Sequence, residues 1–145
     1  MAKPFQRNFR VRLLNQIMIT LIRLNMAPKG THILSVQGRK SGRLYSTPVS
    51  LIEEKDQRWL VSPYGEVSWV QNARAAEYVT FTRGRKTERV SIVEVQSKES
   101  APILKKYLAR YSITQPYFGV SPDATLDAFI AEAPRHPVFR LQNIE

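Results

Sequence analysis

From Phe5 to Met26 the chain contains neither proline nor glycine, and Leu13, Leu14, Ile17, Met18, Leu21 and Ile22 recur three and four residues apart. That period predicts an amphipathic helix over about residues 5–26, stopped ahead of Pro28 and Gly30. Beyond it the rhythm shortens toward two. Thr31–Val36, Arg43–Glu53, Arg58–Ser62, Tyr78–Arg83, Thr87–Gln96 and His136–Leu141 read as strands. The connection Gln37 to Gly42 is a hairpin with two glycines for positive-φ positions, and Gly84-Arg85-Lys86 is a second hairpin turn. Helical spacing returns at Ser68–Ala76, with Ser68 as cap, and at Ser97–Arg110, with Ser97 as cap and Ile103, Leu104, Tyr107 and Leu108 facing inward. A loop punctuated by Pro116, Gly119 and Pro122 surrounds Tyr117 and Phe118, and a last helix covers Asp123–Glu132, ended by Pro134.

Hairpin-linked strands outnumber crossover units, which argues for an α+β fold built on an antiparallel barrel of about six strands with flanking helices. Pro48 cannot donate to a ladder, so its segment is expected at an edge, a bulge or a kink facing a ligand. At 145 residues the chain fits one domain, taken as 1–145, and shows no repeat or linker.

Charge narrows the partner. The 22 Lys and Arg residues against 12 Asp and Glu give a net charge of +10, which suits an anionic ligand. Nucleic acid, a membrane surface and a multiply charged cofactor each meet that requirement. Cysteine is absent and only His32 and His136 are present, so thiolate chemistry and a multi-histidine metal site are excluded and no metal is expected. Missing cysteines also fit a reducing, cytoplasmic compartment. Arg23, Asn15, Gln16 and Thr20 break the apolar run of the first helix, well short of the roughly 20 apolar residues of a membrane span, so it reads as neither signal peptide nor transmembrane segment. Packing on the domain's own core, resting on a membrane and lining the entrance for a lipophilic substrate all remain open for it.

The chemistry concentrates in one place. Gly38-Arg39-Lys40-Ser41-Gly42 presents a guanidinium, an ammonium, a hydroxyl and turn amides that can all donate to one phosphate or carboxylate. Tyr45, Ser46, Thr47 and Pro48 follow it, and Ser62-Pro63-Tyr64-Gly65 leads through Val67 to Trp69 and Asn72. Such a shelf of small polar groups with one aromatic flank suits a flat heteroaromatic ring.

This order, G-R-K-S-G, then Thr-Pro, then Trp-x-x-Asn, with an amphipathic helix before it and a tyrosine-bearing helix and loop behind, resembles the deazaflavin-dependent nitroreductase family of the flavin/deazaflavin split β-barrel oxidoreductases. The resemblance runs from about Leu13 to Leu141 and implies a split β-barrel binding coenzyme F420, with hydride transfer to an electron-poor acceptor: an activated C=C bond, a quinone or a nitro group. By position it implies that Arg39, Lys40, Ser41 and Gly42 contact the phosphate and acidic tail. Thr47, Pro48 and Val49 would face the ring, and Ser62, Pro63, Tyr64, Gly65 and Val67, with Trp69 and Asn72, would close the site. The family's loop after the third strand often carries a lysine. Here it reads Tyr64-Gly65-Glu66, with Arg74 or Arg85 as candidate replacements for the missing cation. Tyr117 is the first candidate proton donor and Tyr111 the second, with water as the alternative. A lipophilic acceptor and a homodimer go with the resemblance.

Two other readings are kept open: an FMN-dependent reductase or non-catalytic flavin/deazaflavin carrier on the same barrel, and a basic nucleic-acid-binding protein. The last is weakened because the cations are dispersed and do not interleave with aromatics.

Overall fold

The computed structural model describes residues 9–143. Residues 5–8 of the expected first helix lie outside them. Helix α1 (Phe9–Arg23) leads to β1 (Thr31–Gln37), β2 (Leu44–Glu54) and β3 (Gln57–Val61), followed by α2 (Ser68–Ala76), β4 (Tyr78–Arg83) and β5 (Lys86–Glu94). Helix α3 (Ser97–Arg110), a 3₁₀ helix (Ser112–Tyr117), α4 (Leu126–Glu132), a short 3₁₀ turn (Ala133–Arg135) and β6 (Val138–Asn143) complete the chain. The strands close in the order β1-β2-β3-β6-β5-β4, and every pairing is antiparallel. This is the α+β barrel that the hairpin pattern predicted.

Alternation along the strands sorts the core into layers. Leu34, Val36, Val49, Leu51, Leu60, Val79, Phe81, Val90 and Phe139 fill the barrel with Val70 and Ala73 of α2. On the outside, Ile52, Val61 and Val138 pack under α3, α4 and Phe118. Ile33 meets Ile19 and Ile22 of α1. Helix α1 ends where Asn25 takes a left-handed φ of 58° and the Met26 N–H donates back to the Leu21 carbonyl at 2.8 Å, a six-residue closing bond that stops the helix before the proline is reached.

The barrel is split along β2. β3 pairs only with Leu51–Glu54, leaving Leu44–Ser50 bonded to β1 alone. The Leu51 N–H donates to Gly30 on the β1 side at 3.0 Å, so two-residue alternation turns the nitrogen of Pro48 toward the open edge. Proline is tolerated there because no ladder bond is lost.

Several local expectations are corrected. Val67 and Gln96, not Ser68 and Ser97, occupy the caps of α2 and α3, and neither makes a side-chain cap bond. α4 begins at Leu126, later than expected, because Thr125 caps it by accepting from the Ala128 N–H at 3.2 Å. The loop expected around Tyr117 starts as a 3₁₀ helix. Of the two hairpin glycines only Gly42 has positive φ, at 74°. Gly38 is required for space, since a Cβ there would lie 2.7 Å from the Tyr45 ring.

Candidate active site

The β1–β2 hairpin closes with Gly38 donating to the Arg43 carbonyl at 2.7 Å and Gly42 to the Gly38 carbonyl at 2.9 Å, so Arg39, Lys40, Ser41 and Gly42 form its tip. The Ser41 hydroxyl accepts from the Arg43 N–H at 3.2 Å and stiffens the turn. Asn72 reaches the tip from α2. Its Oδ1 accepts from both the Arg39 N–H at 3.1 Å and the Arg39 Nη1 at 2.7 Å. Asn72 is only 4% exposed, so it acts on the tip from beneath. The two halves of the sequence motif are therefore one unit, with the asparagine holding the arginine. Among the described residues neither Lys40 nor Arg43 is in an ion pair, and the tip carries no carboxylate.

Thr47, Pro48 and Val49 do not present one wall. Val49 points into the barrel, 9% exposed, whereas Pro48 sits opposite Ile33 on the outer face that α1 covers. Their side chains therefore leave β2 on alternate faces. Across the open edge the Ser62–Val67 loop is tightly wound. The Ser62 hydroxyl donates to the Gly65 carbonyl at 2.7 Å, the Ser62 N–H to the Pro137 carbonyl at 2.9 Å, and Gly65 takes a φ of 86°. Val67 and Trp69 lean on the barrel core, with the Trp69 ring 6.3 Å from that of Phe139.

Arg74, one of the two candidate replacement cations, is already engaged by carboxylates. It bridges Glu66 at 2.6 Å and Glu94 at 2.7 Å, so the Glu66 that departs from the family pattern is neutralised locally. Arg85 remains exposed on the β4–β5 turn.

The tyrosines separate by partner. The Tyr111 hydroxyl donates to the Leu51 carbonyl at 2.8 Å, which ties the end of α3 to β2. Tyr117 packs edge-on against Tyr64 with ring centroids 4.8 Å apart. Burial, and then Tyr117, push the Tyr64 phenol above its usual range, so it keeps its proton at neutral pH. The aromatic pairing of Tyr64 with Tyr117 joins residues on either side of α2, β4, β5 and α3, and no spacing in the sequence signals it.

Comparison with known proteins now bears on the barrel, its cationic tip and the Trp-x-x-Asn helix. A family model described as F420H(2)-dependent quinone reductase matches residues 10–119. The chain belongs to that family. It is thus an F420-dependent oxidoreductase, a deazaflavin-dependent reductase on a split barrel. A search of curated proteins finds no match. Among solved structures, an F420-H2 dependent reductase (FDR-A) is 20% identical with a TM-score of 0.54, covering 79% of this chain and 95% of its own. A domain-swapped dimer is 19% identical with a TM-score of 0.55, covering 90% and 92%. A protein of unknown function from Agrobacterium tumefaciens is 16% identical with a TM-score of 0.59. That match covers 98% of this chain, which spans 59% of the length of the Agrobacterium protein. At these identities the structures establish the fold alone.

Proposed function

We propose that this reductase passes reducing equivalents from F420 to a quinone-class acceptor at the open edge of β2. The observation that carries this reading is the cationic tip: Arg39 held by the buried Asn72, with Lys40 beside it and, among the described residues, no carboxylate paired with either. That donor set fits the phosphate and acidic tail of F420, because preorganised charge-assisted donors lose little entropy on binding. When bound, the deazaflavin supplies the hydride, and the protein supplies orientation and proton delivery. Ser41 and Gly42 complete the anion grip, and the backbone of Thr47, Pro48 and Val49 along the open edge of β2 borders the ring. The Ser62–Val67 loop and Trp69 border it from the other side. Tyr117, steadied by Tyr64, holds a phenolic proton at the acceptor side, while Tyr111 anchors α3 to β2 through its bond to Leu51.

A lipophilic acceptor agrees with the outer face of α1. Phe9, Leu13, Leu14 and Ile17 are all at least half exposed and form one stripe, with Arg10 and Arg12 on the same helix. An apolar stripe next to arginines suits an anionic bilayer surface from which a quinone could be drawn. No described helix is long and apolar enough to cross a membrane.

The test is titration with F420 and with FMN, read by Trp fluorescence, followed by turnover of a quinone and a nitroaromatic with reduced F420. Tight, salt-sensitive binding of F420 and quinone turnover are expected. Preference for FMN, or binding without turnover of either acceptor, would refute the proposal.

A further inference from the structure

Behind the Tyr64–Tyr117 corner lies a buried ionisable pair to which the proposed site gives no role. His136 is 3% exposed and Glu132 5% exposed, with His136 Nε2 2.7 Å from Glu132 Oε2. The other ring nitrogen, Nδ1, lies 2.9 Å from the Pro63 carbonyl. A carbonyl only accepts, so Nδ1 carries the hydrogen. The Phe118 ring stacks on the imidazole at 3.8 Å between centroids and 12° between planes. Glu132 Oε2 also accepts the Gly119 N–H at 2.9 Å, and Arg135 Nη1 stands 3.4 Å from Oε1 at the solvent side.

These contacts converge on two segments. Pro63 immediately precedes Tyr64, and Phe118 and Gly119 immediately follow Tyr117. The same bracket holds Ser62 through the Pro137 carbonyl, and a Cβ on Gly65 would come within 3.3 Å of the Arg135 carbonyl. One short stretch, Glu132 to Pro137, thus grips the backbone beside both tyrosines. We infer that Glu132 and His136 are positioning residues for the reaction, locking the Ser62–Gly65 loop and the Tyr117–Gly119 segment together so that Tyr64 and Tyr117 meet the acceptor in one geometry.

The inference rests on the site reading above, and it extends that reading to residues that touch neither cofactor nor acceptor. A histidine is suited to the task because its two nitrogens leave the ring in different directions while its flat face accepts a stacked phenylalanine. An amide side chain can copy only one of those bonds.

Three variants, set beside Glu132→Ala, test it. Glu132→Gln keeps the shape and an acceptor for Gly119. His136→Asn keeps a donor near Pro63 and loses the link to Glu132. His136→Phe keeps the stack and loses both bonds. Each is compared with the wild type for F420 affinity, kcat, acceptor KM and melting temperature. The expected result is F420 affinity within about threefold of wild type, since these substitutions leave the charge-assisted donors of the cationic tip in place. In the two His136 variants kcat should fall, or acceptor KM rise, by on the order of tenfold or more, up to the roughly hundredfold loss that follows when a reacting group is misplaced by about an ångström. Glu132→Gln should retain more activity than Glu132→Ala. Should His136→Phe fail to fold, His136→Asn and Glu132→Gln decide the matter. Wild-type kcat and KM in folded variants, or a loss of activity that merely tracks lost F420 affinity, would overturn the inference. The site reading fails separately, if Arg39→Ala with Lys40→Ala leaves F420 affinity unchanged.

Discussion

Arg39 and Asn72 show how much can turn on one side chain. Asn72 Oδ1 accepts two hydrogen bonds from the same arginine, and removing it leaves a buried cavity and a guanidinium without its anchor. Asn72→Ala should lower F420 affinity about tenfold and also lower the melting temperature, measured by titration and a thermal melt. Replacing both Arg39 and Lys40 by Ala should reduce affinity more, because each charge-assisted contact contributes about 1.5–3 kcal/mol, and should flatten the salt dependence of binding. Tyr117→Phe isolates the proton: it preserves the edge-on contact with Tyr64 and removes only the hydroxyl. Turnover should fall while F420 affinity holds. Equal turnover would assign Tyr117 to packing.

Among the elements, α1 depends on a contact far from its own sequence. The Arg83 guanidinium at the end of β4 donates to the carbonyls of Ala27, Pro28 and Thr31 at 2.6–2.9 Å and to Asn25 Oδ1 at 3.0 Å. The adjacent Gly84 N–H donates to the Ile22 carbonyl at 2.9 Å. Together they fasten the α1–β1 connection to the β4–β5 turn. Arg83→Ala should cost about 2 kcal/mol of stability in denaturant unfolding, because several carbonyls lose a charged donor at once. The outer stripe of α1 should behave differently. Leu13 and Ile17 are each 50% exposed, so Leu13→Asp with Ile17→Asp should leave stability nearly unchanged yet abolish sedimentation with anionic vesicles. Unaltered sedimentation would dissociate α1 from any bilayer.

Across the whole molecule, buried and half-buried carboxylates set the acid limit of stability. Burial opposes ionisation of Glu132, but the Gly119 N–H and then His136 and Arg135 outweigh it and hold its pKa below the ordinary 4.5. For Glu88 the leading cause is the hydrogen bond from Arg58, which crosses from β3 toward β5. A carboxyl whose folded pKa is depressed binds fewer protons folded than unfolded, so its stabilisation is complete above about 4.5 and is lost as pH falls through the folded value. Melting temperature should therefore drop steeply below pH 4.5, and Glu132→Gln should shallow that slope.

Period-three and period-two patterning, the turn glycines and Pro48 made the helices, the strands and the antiparallel barrel readable from the residues alone, because propensity, turn chemistry and amphipathic burial act within a few positions of chain. The grouping of G-R-K-S-G with Trp-x-x-Asn was readable as well, although not that one half holds the other. Only closure of the barrel decided the rest. Asn72 meets Arg39 across 33 residues and His136 meets Pro63 across 73. Arg74 turns from a spare cation into a bridge between Glu66 and Glu94, and the open edge of β2 exists because β3 is too short to cover it. Such pairings depend on strand register and on which loops end at the same rim of the barrel, and no local pattern in the chain encodes that adjacency.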